Sequence, residues 1–413
     1  MERKVRTGRL KKGMYVSNLD RPWLDTPFLV QGFYINDAAE LRVLDQYCDF
    51  VFIDTDRGLA ADRYWDDNFV LPTNAYLERF LKNKTAQTEY HDSHSASQEM
   101  PQARRVFNEV SEQFAQLMED LKTGKNLRVN KLLALVGSLT ESLLRSPDAM
   151  LWLSHLRVPA AIMDTQPVDH CILAIAFGRY CGLPEKDMQD LAIGVILSDI
   201  GKLNLPDEIL LKRTVLTNQE FSDVKKHVDQ GYDYLSQIKG IDQDSLNIVL
   251  THHERHDGSG YPEKLSAMQI PVFGRIAGMI DCYQAMITKR PYSEPISSHR
   301  ALQKIYNWRD KFFQAELVEQ FLHCLGVYPC GCLVEMKSGE VGVVISQNKE
   351  RHTQPQVMLL LDNNKVELQQ PQLMNMLQTA ASSTQSLKIL RALDPGAYGI
   401  VAENLLDTYN RLS

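Results

Sequence analysis

The hydrophobic period of this chain changes twice along its length, and those two changes set what it can fold into. Between about residues 104 and 325 apolar residues recur three and four apart, as in Val106, Val110, Phe114, Leu117 and Leu121, then Leu132, Leu133, Leu135, Val136, Leu139 and Leu143. That spacing puts them on one face of a helix, so a long helical block is expected. On either side the pattern is β-type. Met14-Tyr15-Val16, Phe28–Ile35 and Phe50–Asp54 are separated by Gly, Pro and Asp, and Gly342–Ser346 and Gln356–Leu361 precede an Asp362-Asn363-Asn364 turn. The fold expected is multidomain and mainly α. It comprises a small α+β N-terminal domain over 1–82, a polar linker over 83–103, connecting helices over 104–145, an all-helical core over 146–325, and a small β-rich C-terminal appendage over 326–413 with a final helix near Leu405. A length of 413 residues suits such a division. The apolar stripe of 104–145 fits either a bundle partner or the seam of a homodimer.

Composition narrows the function classes. Hydrophobic residues at 44% and charged residues at 23% are ordinary for a folded chain in water and unlike a disordered or collagenous one. With 45 Lys and Arg against 52 Asp and Glu the net charge is −7, so no global positive field draws in a nucleic-acid polymer, and an anionic ligand would need a local basic pocket. The seven cysteines include no C-x-x-C pair and read as reduced thiols. Residues 1–20 contain no apolar h-region, and no run of 18 apolar residues occurs, so a cytoplasmic protein without a membrane span is expected.

Histidine is scarce, with 11 in the chain, yet His170, His227, His252, His253 and His256 all fall in the helical block. Asp199 follows the apolar run Leu191–Leu197 and Asp281 lies within the apolar run Arg275–Met286, where an unpaired carboxylate is costly. Imidazoles and carboxylates on converging helices form a ligand set for Fe, Mn, Zn or Ni, with carboxylate oxygens able to bridge two ions. Such a set allows a dinuclear metal site.

The stretch His252-His253-Glu254-Arg255-His256-Asp257-Gly258-Ser259-Gly260-Tyr261-Pro262 resembles the signature of the HD-GYP cyclic-dinucleotide phosphodiesterases. His170, Asp199-Ile200-Gly201-Lys202, His227 before Gly231, Asp281-Cys282-Tyr283-Gln284-Ala285 and Arg290-Pro291-Tyr292 follow the family's order, over roughly residues 146–325. Leu10–Val16 and Leu19–Trp23 are similar to the uncharacterised N-terminal domain that often precedes HD-GYP domains.

The resemblance implies a core of the HD superfamily of metal-dependent phosphohydrolases and two divalent transition metal ions. One ion would be held by His170, Asp199 and Asp281, the other by His227, His252 and His253, with Asp199 bridging. Asp199 and Lys202 would be catalytic, and Lys202, Gly260, Tyr261, Pro262 and Arg290 would hold the substrate. Two positions depart from the pattern at the metals: Ser198 stands where the family has a ligating His, and Gln166 where some members place a Glu supporting a third metal. Ser293 replaces a position often basic in the family.

The implied substrate is cyclic di-GMP, opened to linear pGpG and onward to GMP, with cyclic GMP-AMP as an alternative. Diguanylate cyclase-type proteins come into view as partners. A second class also follows from Ser198: a receptor or protein-interaction module that binds the dinucleotide without turning it over. Among blander readings, Lys202 and Arg290 could be solvated cations and Tyr261 a loop-packing ring, Cys330-Gly331-Cys332 reads as free thiols, and His91 and His94 as linker residues. Trp23, Asp25 and Asp54 carry no chemistry that sequence can assign, and the N-terminal domain could regulate or dimerise.

Overall fold

The structure is a computed structural model. It describes residues 2–7, 10, 14–20, 33–35, 38–48, 50–54, 88–156, 166–212, 214–289, 294–348, 353–377 and 388–410. Among the readings above, Trp23, Asp25, Arg290 to Ser293 and most of the 28–35 strand lie outside these residues.

The N-terminal domain is α+β. Strands β1 (Glu2–Arg6), β2 (Tyr15–Leu19), β3 (Phe33–Tyr34) and β4 (Phe50–Asp54) form an antiparallel sheet in the order β1-β4-β2-β3. Helix α1 (Ala38–Tyr47) closes a small core in which Val16, Leu19, Phe33, Ile35, Leu44, Cys48 and Val51 are buried.

The second unit opens earlier than the change of period suggests. Helix α2 spans Ala96–Lys122, so its first two turns lie in the segment read as linker. Ser95 and Gln98 form a reciprocal capping box, and Met100, Ala103 and Phe107 begin the buried stripe. Polar neighbours and Pro101 hide this start in the sequence. Helix α3 (Val129–Arg145) buries Leu132, Leu135, Val136, Leu139 and Leu143 in the same core as the helices that follow. The 104–145 stripe is therefore a bundle face within the chain, and a dimer would need a different surface.

Helices α4 (Pro147–His155), α5 (Gln166–Tyr180) and α6 (Glu185–Leu197) lead into the centre. Nearly every residue of α5 from Val168 to Arg179 is buried, as befits a helix surrounded on all sides. Beyond a 3-10 turn at Ile200–Asn204 come α7 (Asn218–Lys225), α8 (His227–Ser236), α9 (Gln243–Thr251), α10 (Val272–Ile287), α11 (Ser298–Asn307) and α12 (Ala315–Leu325).

Strands β5 (Leu333–Met336), β6 (Val341–Ser346), β7 (Gln356–Leu361), β8 (Glu367–Asn375) and β9 (Ile389–Leu393) form an antiparallel sheet in the order β8-β7-β6-β5-β9. Its two faces do different work. Leu333, Val343, Ile345, Met358 and Leu360 join the helical core, while Val334, Val344, Val357 and Leu359 build a second, smaller one. The final helix α13 (Ala402–Asn410) sets Tyr409 against Trp152 of α4, ring centroids 4.9 Å apart. The C-terminal sheet thus shares its core with the helices. Among the described residues no helix is long and apolar enough to cross a membrane.

Candidate metal centre

Three helix ends deliver the four central side chains. Helix α6 stops at Leu197, and Asp199 caps the 3-10 turn that follows. Gly201 in that turn lies against the first turn of α8: a Cβ there would stand 2.0 Å from the His227 carbonyl oxygen and 2.8 Å from the Gly231 nitrogen. Only glycine lets the two backbones approach so closely, and this approach brings Asp199 to His227. His252 caps the end of α9, with His253 next to it.

The ligating atoms of Asp199, His227, His252 and His253 all lie within 4.8 Å of one another. Asp199 Oδ1 is 3.2 Å from His227 Nε2 and 3.6 Å from His252 Nε2, and the two Nε2 atoms are 3.5 Å apart. The opposite ring nitrogens are taken. His227 Nδ1 donates to the Val224 carbonyl at 2.6 Å and His252 Nδ1 to the Val249 carbonyl at 2.9 Å, which fixes the tautomer and turns both Nε2 lone pairs inward. Asp199 Oδ1 and His253 Nε2 are buried without a hydrogen-bond partner. Buried acceptors facing one another are costly unless a cation lies between them, so this donor set fits a borderline divalent metal.

The electrostatics agree. Burial pushes the Asp199 carboxyl up, but the Lys202 ammonium, 2.7 Å from Oδ2, together with His227 and His252, more than reverses this and holds it well below the usual carboxylate range. Burial, reinforced by His252 and His227, holds His253 well below the usual imidazole range and therefore neutral. An ionised carboxylate and a neutral imidazole are the protonation states a metal requires.

The remaining expected ligands are placed less centrally. Asp281, on α10, reaches the group through His253, with Oδ2 3.9 Å from Nδ1. His170 is buried in α5 and is not one of the four that converge. At the position where the resemblance has a ligating imidazole, the Ser198 hydroxyl donates to its own helix, to the Val195 carbonyl at 2.9 Å.

The loop after His253 folds back over the centre. The Tyr261 ring stacks on His253 with centroids 4.7 Å apart and planes 24° apart, and the Tyr261 nitrogen donates to the His253 carbonyl. Gly260 sits against the Glu254 backbone, where a Cβ would be 2.4 Å from Glu254 Cα, and the Tyr261–Pro262 peptide is cis. Lys202 lies on Asp199, while His256, which reads as a neighbour of the cluster in sequence, is not one of the four that converge, and its backbone N–H donates to the Phe312 carbonyl. Burial pushes the Cys332 thiol up to about 12 and the Cys330 thiol well above its ordinary value, as inert free thiols require.

Sequence reasoning missed Glu254, and its only signal there was its place inside the signature. Its buried Oε1 accepts the Glu263 N–H at 2.8 Å, pinning the far end of the Tyr261 loop. Burial raises its carboxyl to about 8, so it is neutral at pH 7. A folded value above the unfolded 4.5 adds stability that is complete below about pH 4.5 and lost as pH rises through 8. Glu254→Gln keeps a neutral acceptor at every pH. In metal-stripped protein the wild type should lose about 4 kcal/mol relative to Glu254→Gln between pH 5 and pH 8. Urea midpoints at the two pH values check this, and parallel curves for the two proteins would contradict it.

An α-helical bundle that gathers histidines and an aspartate at its helix ends is the architecture of a metal-dependent HD domain. The comparisons with known proteins agree. Residues 154–317 match the family model described as HD domain, and residues 2–132 match the one described as Domain of unknown function (DUF3391), a match that runs through α2. Cyclic di-GMP phosphodiesterase PA4108 of Pseudomonas aeruginosa is 28% identical over 359 residues, which is 86% of this chain and 84% of that protein. The cyclic di-GMP phosphodiesterase of Thermotoga maritima is 40% identical over 142 residues, 34% of this chain and 39% of that protein. The 3'3'-cGAMP-specific phosphodiesterase 2 of Vibrio cholerae is 35% identical over 142 residues, 34% of this chain and 27% of that protein. The chain thus carries an HD domain, preceded by a match to DUF3391, and is similar over most of its length to a cyclic di-GMP phosphodiesterase.

Proposed function

We propose that this protein is a cytoplasmic, metal-dependent phosphodiesterase that opens cyclic di-GMP to linear pGpG and onward to GMP, with cyclic GMP-AMP as the alternative substrate. The observation that carries the proposal is the convergence of Asp199, His227, His252 and His253, with both Nε2 lone pairs and one carboxylate oxygen facing a common point. His227, His252 and His253 would hold one divalent ion and His170, Asp199 and Asp281 the other, with Fe or Mn suited to the mixed nitrogen and oxygen donors, and Ni or Zn as alternatives. Two such ions supply an activated water and offset charge on phosphorus.

The chain's own groups do the rest. Asp199, held ionised, would serve both ions. Lys202, held on Asp199 at 2.7 Å, offers a cation to the phosphate. Tyr261, stacked on His253, forms a flat wall, and Gly260 and Pro262 shape the loop so that the substrate backbone can approach. Arg290 is assigned to the second phosphate or a guanine edge on its sequence position alone.

Ser198 favours a second reading, that of a receptor, because its hydroxyl is engaged with Val195. Ser198→His separates the two. As an enzyme, the native protein already turns over and the substitution tightens one metal by about tenfold or more, as loss of ligand support costs about 10–100-fold. Metal titration and turnover of both proteins check this. Activity that appears only in Ser198→His would establish the receptor. Diguanylate cyclase-type partners and a homodimer remain proposals of the sequence reading.

A further inference from the structure

Beside the Tyr261 ring lie two side chains that neither the resemblance nor the metal chemistry uses. Helix α7 buries none of its residues, yet it ends two positions before His227. Phe221 on it is 41% exposed, although phenylalanine is among the residues most often buried. Its ring stands edge-on to Tyr261, with centroids 6.5 Å apart and planes at 80°. Tyr261 in turn stacks on His253. The rings of His253, Tyr261 and Phe221 therefore run outward from the metal centre in sequence.

A cation accompanies the outer pair: Lys225 Nζ lies 4.6 Å from the Phe221 centroid and 5.1 Å from that of Tyr261. The helix that carries both residues is fixed at its start. Thr217 and Glu220 form a capping box, and Lys212 pairs with Glu220 at 2.6 Å. An exposed aromatic face on a capped helix, with a lysine beside it, is how proteins hold unpaired nucleotides: the ring takes the base and the cation takes the phosphate.

Resting on the cyclic-dinucleotide reading above, we propose that Phe221 and Lys225 form a further part of the substrate-binding surface: Phe221 stacks one purine of the substrate, and Lys225 moves from the two rings to the phosphodiester beside it. The alternative, that Phe221 only packs against Tyr261, makes a different demand on the side chain. Packing is satisfied by leucine, whereas stacking needs an aromatic face.

The test is calorimetric binding of a hydrolysis-resistant phosphorothioate analogue of cyclic di-GMP to the Mn(II)-loaded full-length protein. Phe221→Ala and Phe221→Leu should each weaken binding by about fivefold or more, the lower end of what loss of one stacked base costs. Phe221→Trp should hold affinity within about twofold of wild type, and Lys225→Gln should weaken binding and flatten its dependence on salt. Wild-type affinity in Phe221→Leu overturns the inference and leaves the substrate reading intact. Absence of binding by the wild type overturns the substrate reading and the inference with it.

Discussion

Asp199→Ala should strip the centre of metal and lower turnover of cyclic di-GMP by about a thousandfold or more, equivalent to roughly 4 kcal/mol of lost transition-state stabilisation. Its carboxylate joins two imidazoles of the site to a lysine. Its Oδ1 lies 3.2 Å from His227 Nε2 and 3.6 Å from His252 Nε2, while Oδ2 holds Lys202 at 2.7 Å. Without it, the inward-facing imidazoles lose the one anion among the four converging groups, and Lys202 loses its anchor. Asp199→Asn keeps the shape and removes the charge, so it should fail almost as badly. Metal content by atomic emission and turnover on the same samples check both. Full metal occupancy in Asp199→Ala would show that the centre lies elsewhere.

Gly201→Ala is expected to damage the centre from outside it. The added Cβ meets the His227 carbonyl oxygen at 2.0 Å and the Gly231 nitrogen at 2.8 Å, and both are backbone atoms that move only if α8 moves. Overpacking of this kind costs about 1–3 kcal/mol or more, and a displacement of about 1 Å at a reacting geometry costs about a hundredfold in rate. Stability and turnover should therefore fall together. Gly137→Ala is the control: its Cβ meets nothing within 4 Å in the interior of α3, so it should raise stability slightly through helix propensity. Denaturant midpoints and turnover of the two variants settle the comparison, and indistinguishable behaviour would contradict the close approach of the two backbones.

Much of this was legible in the sequence because the forces involved leave periodic traces. The stripe Leu132, Leu135, Val136, Leu139 and Leu143 is the buried face of α3, and the alternation of β6 and β7 is the alternation between two cores. The start of α2 was not legible, because it depends on the reciprocal capping bonds between Ser95 and Gln98 within a polar stretch and on tertiary burial of Met100 and Ala103. At the site, residue types and adjacency pointed to metal chemistry. They could not rank the ligands, since Asp281 and His170 read the same as His227 in one dimension, whereas helix ends bring four of the six together. Ser198 was visible as a departure from the family pattern, but its bond to the Val195 carbonyl was not. Glu254, Phe221 and Lys225 were invisible because their meaning comes from partners: a backbone N–H of Glu263 for the first, and the Tyr261 ring for the other two.

The most direct test of the account is hydrolysis of cyclic di-GMP by the purified full-length protein, reconstituted without oxygen with Fe(II) or with Mn(II), with products resolved by chromatography. The account predicts a metal-dependent release of linear pGpG that disappears in Asp199→Ala. Binding of cyclic di-GMP with no product under either metal would contradict it and make the protein a receptor built on an enzyme's fold.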